Sequence, residues 1–287
     1  MAGFKIQLPE AVTDTTMKIL YPDSIMSNGS LFLFDASHPL GESGTTIING
    51  GKAQNIAYKE AAAIIGSGDI STLSGDVVLS GVTPSTAIIE MTAKKGVHGI
   101  ISQTNTISTL GWQVNFPTLI KTHLLNSWVN KKLYISLWGN TTRISNTTSE
   151  SILGFVNVTT GASNYKSIFR ALDNLPLSSA SRVSPSPSNV VGRFFRNQGD
   201  GVSVGITPTS VGAMRAYFKI GVGAPYDANE KGNSSSRIIY RVYIEDLDVS
   251  GRTYTEVDAI DKAMYDAAFA VGGKFYGDTF TSPTVLP

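Results

Sequence analysis

Cysteine is absent from the 287 residues. That excludes disulfides, thiolate nucleophiles and thiolate metal sites. Histidine is scarce: His38, His98 and His123 are the only three, on unrelated segments, without HxH or HExxH spacing. Charge is also thin. Charged residues make up 16 % of the chain, against roughly 25 % in ordinary domains. The net charge of +1 gives no electrostatic case for a nucleic-acid or membrane-surface partner. No stretch approaches the ~18 apolar residues of a membrane span. The segment Met1–Glu10 holds no apolar run of signal-peptide length, so the expectation is synthesis in the cytoplasm without membrane insertion.

What replaces charge is hydroxyl. Ser and Thr supply about a fifth of the chain, well above average usage. Hydroxyls favour strands and turns and keep a surface wet with little charge to desolvate. Such a surface suits a protein packed against many neighbours.

Periodicity reads mainly as β structure. Ser30–Asp35 is a short continuous apolar run between Asn28-Gly29 and His38-Pro39-Leu40-Gly41. Gln54–Ile65 has helical spacing, with Ile56, Ala57, Ala63 and Ile64 on one face and Lys59 and Glu60 outward, ended by Gly66-Ser67-Gly68-Asp69. A soft boundary falls here, giving an N-terminal arm or docking subdomain over 1–65 and a β-domain over 66–287. Asp76–Leu79, Thr86–Thr92 and Val97–Ser102 are short apolar strands. Lys132–Trp138 alternates, with Leu133, Ile135 and Leu137 opposite Tyr134, Ser136 and Trp138. Ala213–Ile220 places Met214, Ala216, Phe218 and Ile220 opposite Arg215, Tyr217 and Lys219. Arg237–Glu245 places Ile238, Tyr240, Val242 and Ile244 inward and Arg237, Arg241 and Glu245 outward. A late helix follows, capped by Thr255 with Asp258 three residues on. Its stripe is Val257, Ile260, Met264 and Ala268, its outer side carries Asp261, Lys262 and Asp266, and Gly272-Gly273 ends it. Gly272–Phe280 then reads as a closing strand. The loops 178–189 and 225–236 are long and polar, the kind that function or a neighbour orders. The fold class expected is mainly β: an antiparallel sandwich with one or two short helices and an N-terminal arm.

Candidate chemistry is sparse. Glu245-Asp246-Leu247-Asp248 has the composition of a glycosidase pair or calcium cluster, but adjacent strand residues point to opposite faces. The simpler reading is a strand end and turn, with Asp248 and Ser250 bonding the backbone. Asp227, Asn229 and Glu230 carry oxygen ligands without EF-hand spacing. The glycines at 66–69 and 199–205 lack phosphate-loop spacing and read as turns. Trp112, Trp128 and Trp138 cluster in sequence; packing in the core outweighs stacking on sugar. No catalytic, metal or cofactor residue is assigned.

The run Tyr240–Leu247, then Ser250–Tyr254 with Val257 and Asp258, resembles the C-terminal strand and helix of concanavalin-A-like/laminin-G-like sandwiches in tailed-bacteriophage virion proteins. Gly29–Asp35 followed by Ile56–Ala61 is similar to the start of such proteins. The resemblance implies a lectin-like jelly roll in a virion component and transfers no catalytic residue. The expectation is therefore a non-enzymatic structural protein of a phage particle, in the capsid decoration, tail or fibre, working through contacts with other virion proteins and copies of itself. The alternatives are an adhesin recognising a host surface glycan and, further off, a polysaccharide depolymerase.

Overall fold

The computed structural model describes residues 22–126, 131–144, 150–157, 165–171, 191–197, 208–222 and 234–287. In chain order its elements are β1 (Ser30–Asp35), β2 (Lys52–Ala53), α1 (Tyr58–Ile65), α2 (Ile70–Leu73), β3 (Gly75–Ser80), β4 (Ala87–Met91), β5 (Val97–Ile101), β6 (Leu110–Asn115) and α3 (Thr118–Leu125). They continue with β7 (Leu133–Arg143), β8 (Glu150–Asn157), β9 (Tyr165–Ala171), β10 (Val191–Asn197), β11 (Met214–Val222), β12 (Ser236–Asp246), α4 (Leu247–Ser250) and α5 (Tyr254–Phe269). The chain is mainly β, as its alternation predicts, with more helical segments than expected.

One six-stranded sheet runs β10-β7-β12-β5-β4 with β1 also on β12; the other runs β2-β3-β6-β11-β8-β9. Their strand pairings are antiparallel. The principal core lies between them. β11 directs Met214, Ala216, Phe218 and Ile220 into it, in the predicted phase, where they meet Phe32 and Phe34 of β1 and Leu133, Ile135 and Leu137 of β7.

β12 is the axis of the first sheet and is buried along its whole length. β7 flanks one side. The other side is shared end to end: β5 pairs with Arg237–Ile239 and β1 with Arg241–Glu245. The register with β7 shifts between Ile239 and Arg241. This bulge reverses the alternation. Ile239, Val242 and Ile244 face the inter-sheet core, while Ile238, Tyr240 and Tyr243 face the other way. The even alternation expected for this strand is thus broken at Tyr240. Arg237, Arg241 and Glu245, expected outward, are all buried.

Residues 22–65, placed by the sequence in an arm, supply β1 to this sheet. They also supply Asn55, whose amide bonds the main chain of β1 at Leu31 and Leu33 and so closes that strand's outer edge. Ile56 and Ala57 are buried but precede α1, and within α1 it is Ala61 that is buried while Ala63 is exposed.

The outer face of the first sheet is covered by α5 and by segments from both ends of the chain. Val257, Ile260, Met264 and Ala268 of α5 pack on Tyr134, Trp138, Tyr240 and Tyr243 together with Ile25, Met26, Phe275 and Phe280. The helix cap is Thr253, two residues earlier than expected. Its hydroxyl accepts from Glu256 N at 3.3 Å and the Glu256 carboxylate accepts from Thr253 N at 2.7 Å, a capping box. Asp261, expected outward, is fully buried. The closing strand expected over Gly272–Phe280 is instead a series of turns, with Gly272 and Gly277 at positive φ (80° and 65°).

Candidate functional site

The side chains with chemistry to offer converge on the outer face of β12 and its neighbours. At the bulge, the Arg241 guanidinium donates to both carboxylate oxygens of Asp23 (2.9 and 2.8 Å) and to Asp35 (3.3 Å), and lies 4.9 Å from the Trp138 ring centroid. Lys274 Nζ adds a 2.9 Å bond to Asp35. Burial favours the neutral form of Asp23, but the Arg241 bonds and charge outweigh it and hold its pKa below the usual carboxylate range. Alongside, Asp261 accepts from Tyr134 Oη at 2.8 Å and from Trp138 Nε1 at 3.0 Å.

Two residues beyond Arg241, the Tyr243 hydroxyl donates to Glu245 at 2.7 Å. Arg252 grips the same carboxylate through Nε at 2.8 Å and through its terminal nitrogen, and Ser27 Oγ donates to it at 3.0 Å. A phenol against a carboxylate is a pairing in which a base could take the phenol proton. Here burial, and then the Glu245 charge, push the Tyr243 pKa well up, and both residues are 0 % exposed. Neither side chain is open to solvent, and the group acts as a staple between β12, the 25–30 segment and Arg252.

Asp246 takes separate partners: His123 Nε2 at 2.8 Å and Lys131 Nζ at 2.7 Å. Burial works against its charge, but these two bonds prevail and its pKa is lowered. Its other oxygen accepts from Asp248 N and caps α4. Glu245 and Asp246 therefore do not form a carboxylate pair across one cleft. Ser250 bonds the backbone amide of Arg252, as the turn reading requires, whereas Asp248 bonds that of Lys132 beside β7, 116 positions earlier.

A fourth group ties the C-terminal segment to β4 and β5. Glu90 accepts from Thr281 N at 2.8 Å and from its hydroxyl at 2.7 Å, and bonds His98 Nδ1 at 2.9 Å. An ionised Glu90 assigns the proton to Nδ1, so Nε2 accepts from Thr142 Oγ1 at 3.0 Å. Phe280 sits edge-on to the imidazole at 4.9 Å. Burial lowers the His98 pKa below 6.5, and Glu90 only partly offsets this. Burial disfavours charge on Glu90, yet its bonds to His98 and Thr281 hold its pKa below 4.5. The signs agree. His98 contributes fully above pH 6.5 and loses its contribution below, because the unfolded chain binds the proton more tightly. Glu90 contributes above pH 4.5 and loses its contribution as pH falls through its folded value. The urea midpoint is expected to fall between pH 7 and pH 4, and Glu90→Gln to flatten the part below pH 4.5. A Glu90→Gln profile parallel to the wild-type profile there would contradict this assignment.

The sequence candidates fall out as follows. His98 and His123 sit in ionic clusters; His38 lies by the Pro22 carbonyl. Trp112 and Trp138 are 0 % and 2 % exposed and offer no stacking platform. Gly66 ends α1 at φ 80° and Asp69 caps α2, both turn roles. Trp128, the glycines at 199–205, the loop 178–189, and Asp227, Asn229 and Glu230 lie outside the described residues, as does most of 225–236. Among the described residues no group of three or more His, Asp or Glu is placed to hold a metal ion. A cavity beside Leu137, Ile152 and Arg237 measures about 10 Å³, room for one water. Sequence reasoning missed Arg241 and Lys131, whose partners are far away in the chain, and Arg252, which returns across α4 to Glu245 seven residues earlier. Asp261 alone carried a local signal, since it lies four residues after Val257 on the buried stripe.

No family model and no curated protein matches the chain. Among solved structures it is similar to Trypanosoma rangeli sialidase, with 11 % identity over 81 % of this chain and 32 % of that one, at a TM-score of 0.41. The same enzyme in complex with sialic acid gives 8 % identity over 82 % and 33 %, at 0.38. The chain thus spans about a third of the length of these proteins. The expectation that it is not an enzyme is corrected here, because the solved structures it matches are enzymes. Likeness at this level transfers no residue role, and it carries no reaction to the clusters described above.

Proposed function

We propose that the chain is a multi-copy structural component of a tailed-phage particle, a concanavalin-A-like jelly roll that works through contacts with other virion proteins and copies of itself. The observation that carries this reading is the inward use of charge. Arg241 and Glu245 bind the segment at 22–30, and Glu90 the segment at 278–287, onto one sheet, forming a shape-holding block. A chain rich in Ser and Thr and low in charge has less surface charge to desolvate against neighbours. The finer topology, a jelly roll rather than simply two facing antiparallel sheets, belongs to the same proposal. Mass spectrometry and cryo-electron microscopy of purified particles from the source provide the test. Stoichiometric copies in the capsid, tail or fibre are expected, and an otherwise complete particle without the chain would end the idea.

A further inference from the structure

The surroundings of Asp246 are more ordered than an ion pair needs. Asp246 pairs with Leu133 in the β12–β7 ladder. Next to it, Leu247 N donates to Lys132 O at 2.9 Å and Lys132 N donates to the Asp248 carboxylate at 3.0 Å. These contacts fix the main chain at Lys131 beside Asp246 before the lysine side chain contributes anything. His123 reaches the same point from α3.

The side chains then meet in one arrangement. Lys131 Nζ lies 2.7 Å from Asp246 Oδ2. His123 Nε2 lies 3.1 Å from that nitrogen and 2.8 Å from that oxygen. The other oxygen, Oδ1, accepts from the main-chain amides of Asp248 at 3.1 Å and Val249 at 3.4 Å. An amine stands against a carboxyl group, one imidazole nitrogen touches both the amine and the oxygen that could leave, and two amides hold the oxygen that would gain charge. Those are the parts of an acyl transfer. Other buried carboxylates described here lack them. Glu245 and Asp23 are gripped by guanidinium groups, which stay charged and are not nucleophiles. Lys274, which reaches Asp35, is 41 % exposed.

We infer that Lys131 and Asp246 condense into an isopeptide bond in the folded protein, with His123 carrying the protons between them. The bond closes a loop of 115 positions, and it stands apart from the assembly reading.

The step balances without a co-reactant. The ion pair starts with three hydrogens on Nζ and none on the carboxylate. Nε2 takes one proton from Nζ and passes it to Oδ2, which leaves a neutral amine and a neutral acid. Burial opposes both starting charges and so favours this transfer. The Nζ lone pair attacks Cγ, a C–N bond forms, and the carbonyl pair moves onto Oδ1 under the two amides. Nε2 relays a second proton to Oδ2, the Cγ–Oδ2 bond breaks, and water leaves. The third hydrogen stays on the amide. The side chains of Asp246, Lys131 and His123 are 0 %, 10 % and 15 % exposed, so bulk water is largely kept from the product.

Intact-mass spectrometry and peptide mapping of the purified full chain test this. The wild type is expected to be one water lighter than its sequence requires and to yield a branched peptide joining Lys131 to Asp246. Lys131→Arg keeps the cation but offers no amine, and it is expected at full mass. His123→Gln should lose water at least about a hundredfold more slowly. Should Lys131→Arg fail to fold, the wild-type peptide map decides alone. A folded wild type that keeps its full mass through prolonged incubation at neutral pH overturns the inference. So does a water loss that persists in Lys131→Arg or maps to another residue, as a cyclised aspartate would, or His123→Gln condensing at the wild-type rate.

Discussion

Replacing Arg241 with Met is expected to cost about 3–5 kcal/mol, a large fraction of a domain's stability. The side chains of Arg241, Asp23 and Asp35 are 2 %, 8 % and 1 % exposed. Removing the guanidinium leaves Asp23 buried without its bidentate partner and Asp35 with Lys274 as its remaining cation contact described here. The loss reports the stranded carboxylates more than the net value of the pair. Two consequences separate these. Arg241→Met with Asp23→Asn should recover more than about 1 kcal/mol relative to the single variant, since the stranded charge is gone. In Arg241→Met, burial acts on Asp23 against only the smaller effects of the Ile25 amide and the His38 charge, so its folded pKa is expected to rise. The deficit should then shrink as pH falls and the folded protein takes up that proton. Urea denaturation at pH 7 and at pH 5 measures both. A single-variant loss below about 1 kcal/mol, or strict additivity with Asp23→Asn, would show that the cluster is not coupled in this way.

Phe218→Ala should cost a similar amount, about 3–5 kcal/mol, for an unrelated reason. Phe218 is 0 % exposed on β11. Its ring lies 6.1 Å from Phe32, 5.5 Å from Phe34, 5.6 Å from Trp112 and 5.6 Å from Phe116. Those rings belong to β1 in the opposite sheet and to β6 and the residue just after it. Collapse into the vacated space would require both sheets to move, so the cavity term persists. Phe218→Leu keeps most of the volume and should cost less than about 1.5 kcal/mol. Equilibrium denaturation of the two variants decides it; near-equal stabilities would mean that the gap between the sheets closes easily.

The contrast between these residues shows what the sequence reveals. Phe218 is legible because an alternating strand declares its buried face; the same rule found the first half of β7 and β11, while short apolar runs marked β1, β3, β4 and β5. Arg241 is not legible. Hydropathy places a charged residue outward unless its partner is known, and Asp23 lies 218 positions earlier. The bulge at Tyr240 compounds the error, since one inserted residue swaps faces for everything beyond it. Thr253 was passed over as the cap because Thr255 also precedes an acidic residue; only the bonds to Glu256 distinguish them. The segment after α5 looks strand-like in Lys274-Phe275-Tyr276, yet Gly272 and Gly277 bracket it with turns. Among the candidate site residues, local geometry correctly kept Glu245 and Asp246 apart, and local geometry could not supply Arg252, His123 or Lys131.

The place of β12 in its sheet has a consequence for the order of events during synthesis. Leu33 of β1 pairs with Tyr243, 210 positions later. Until Ser236–Asp246 has been made, β1, β5 and β7 have no common neighbour, and the first sheet lacks its middle. An emerging chain must carry Leu31-Phe32-Leu33-Phe34 without its β12 partner until some 210 further residues have been made. Closing so long a loop is entropically slow, and waiting strands of this kind attract other strands. The same late strand that joins β1, β5 and β7 therefore leaves the earlier strands open to wrong pairing until residue 246 has been made.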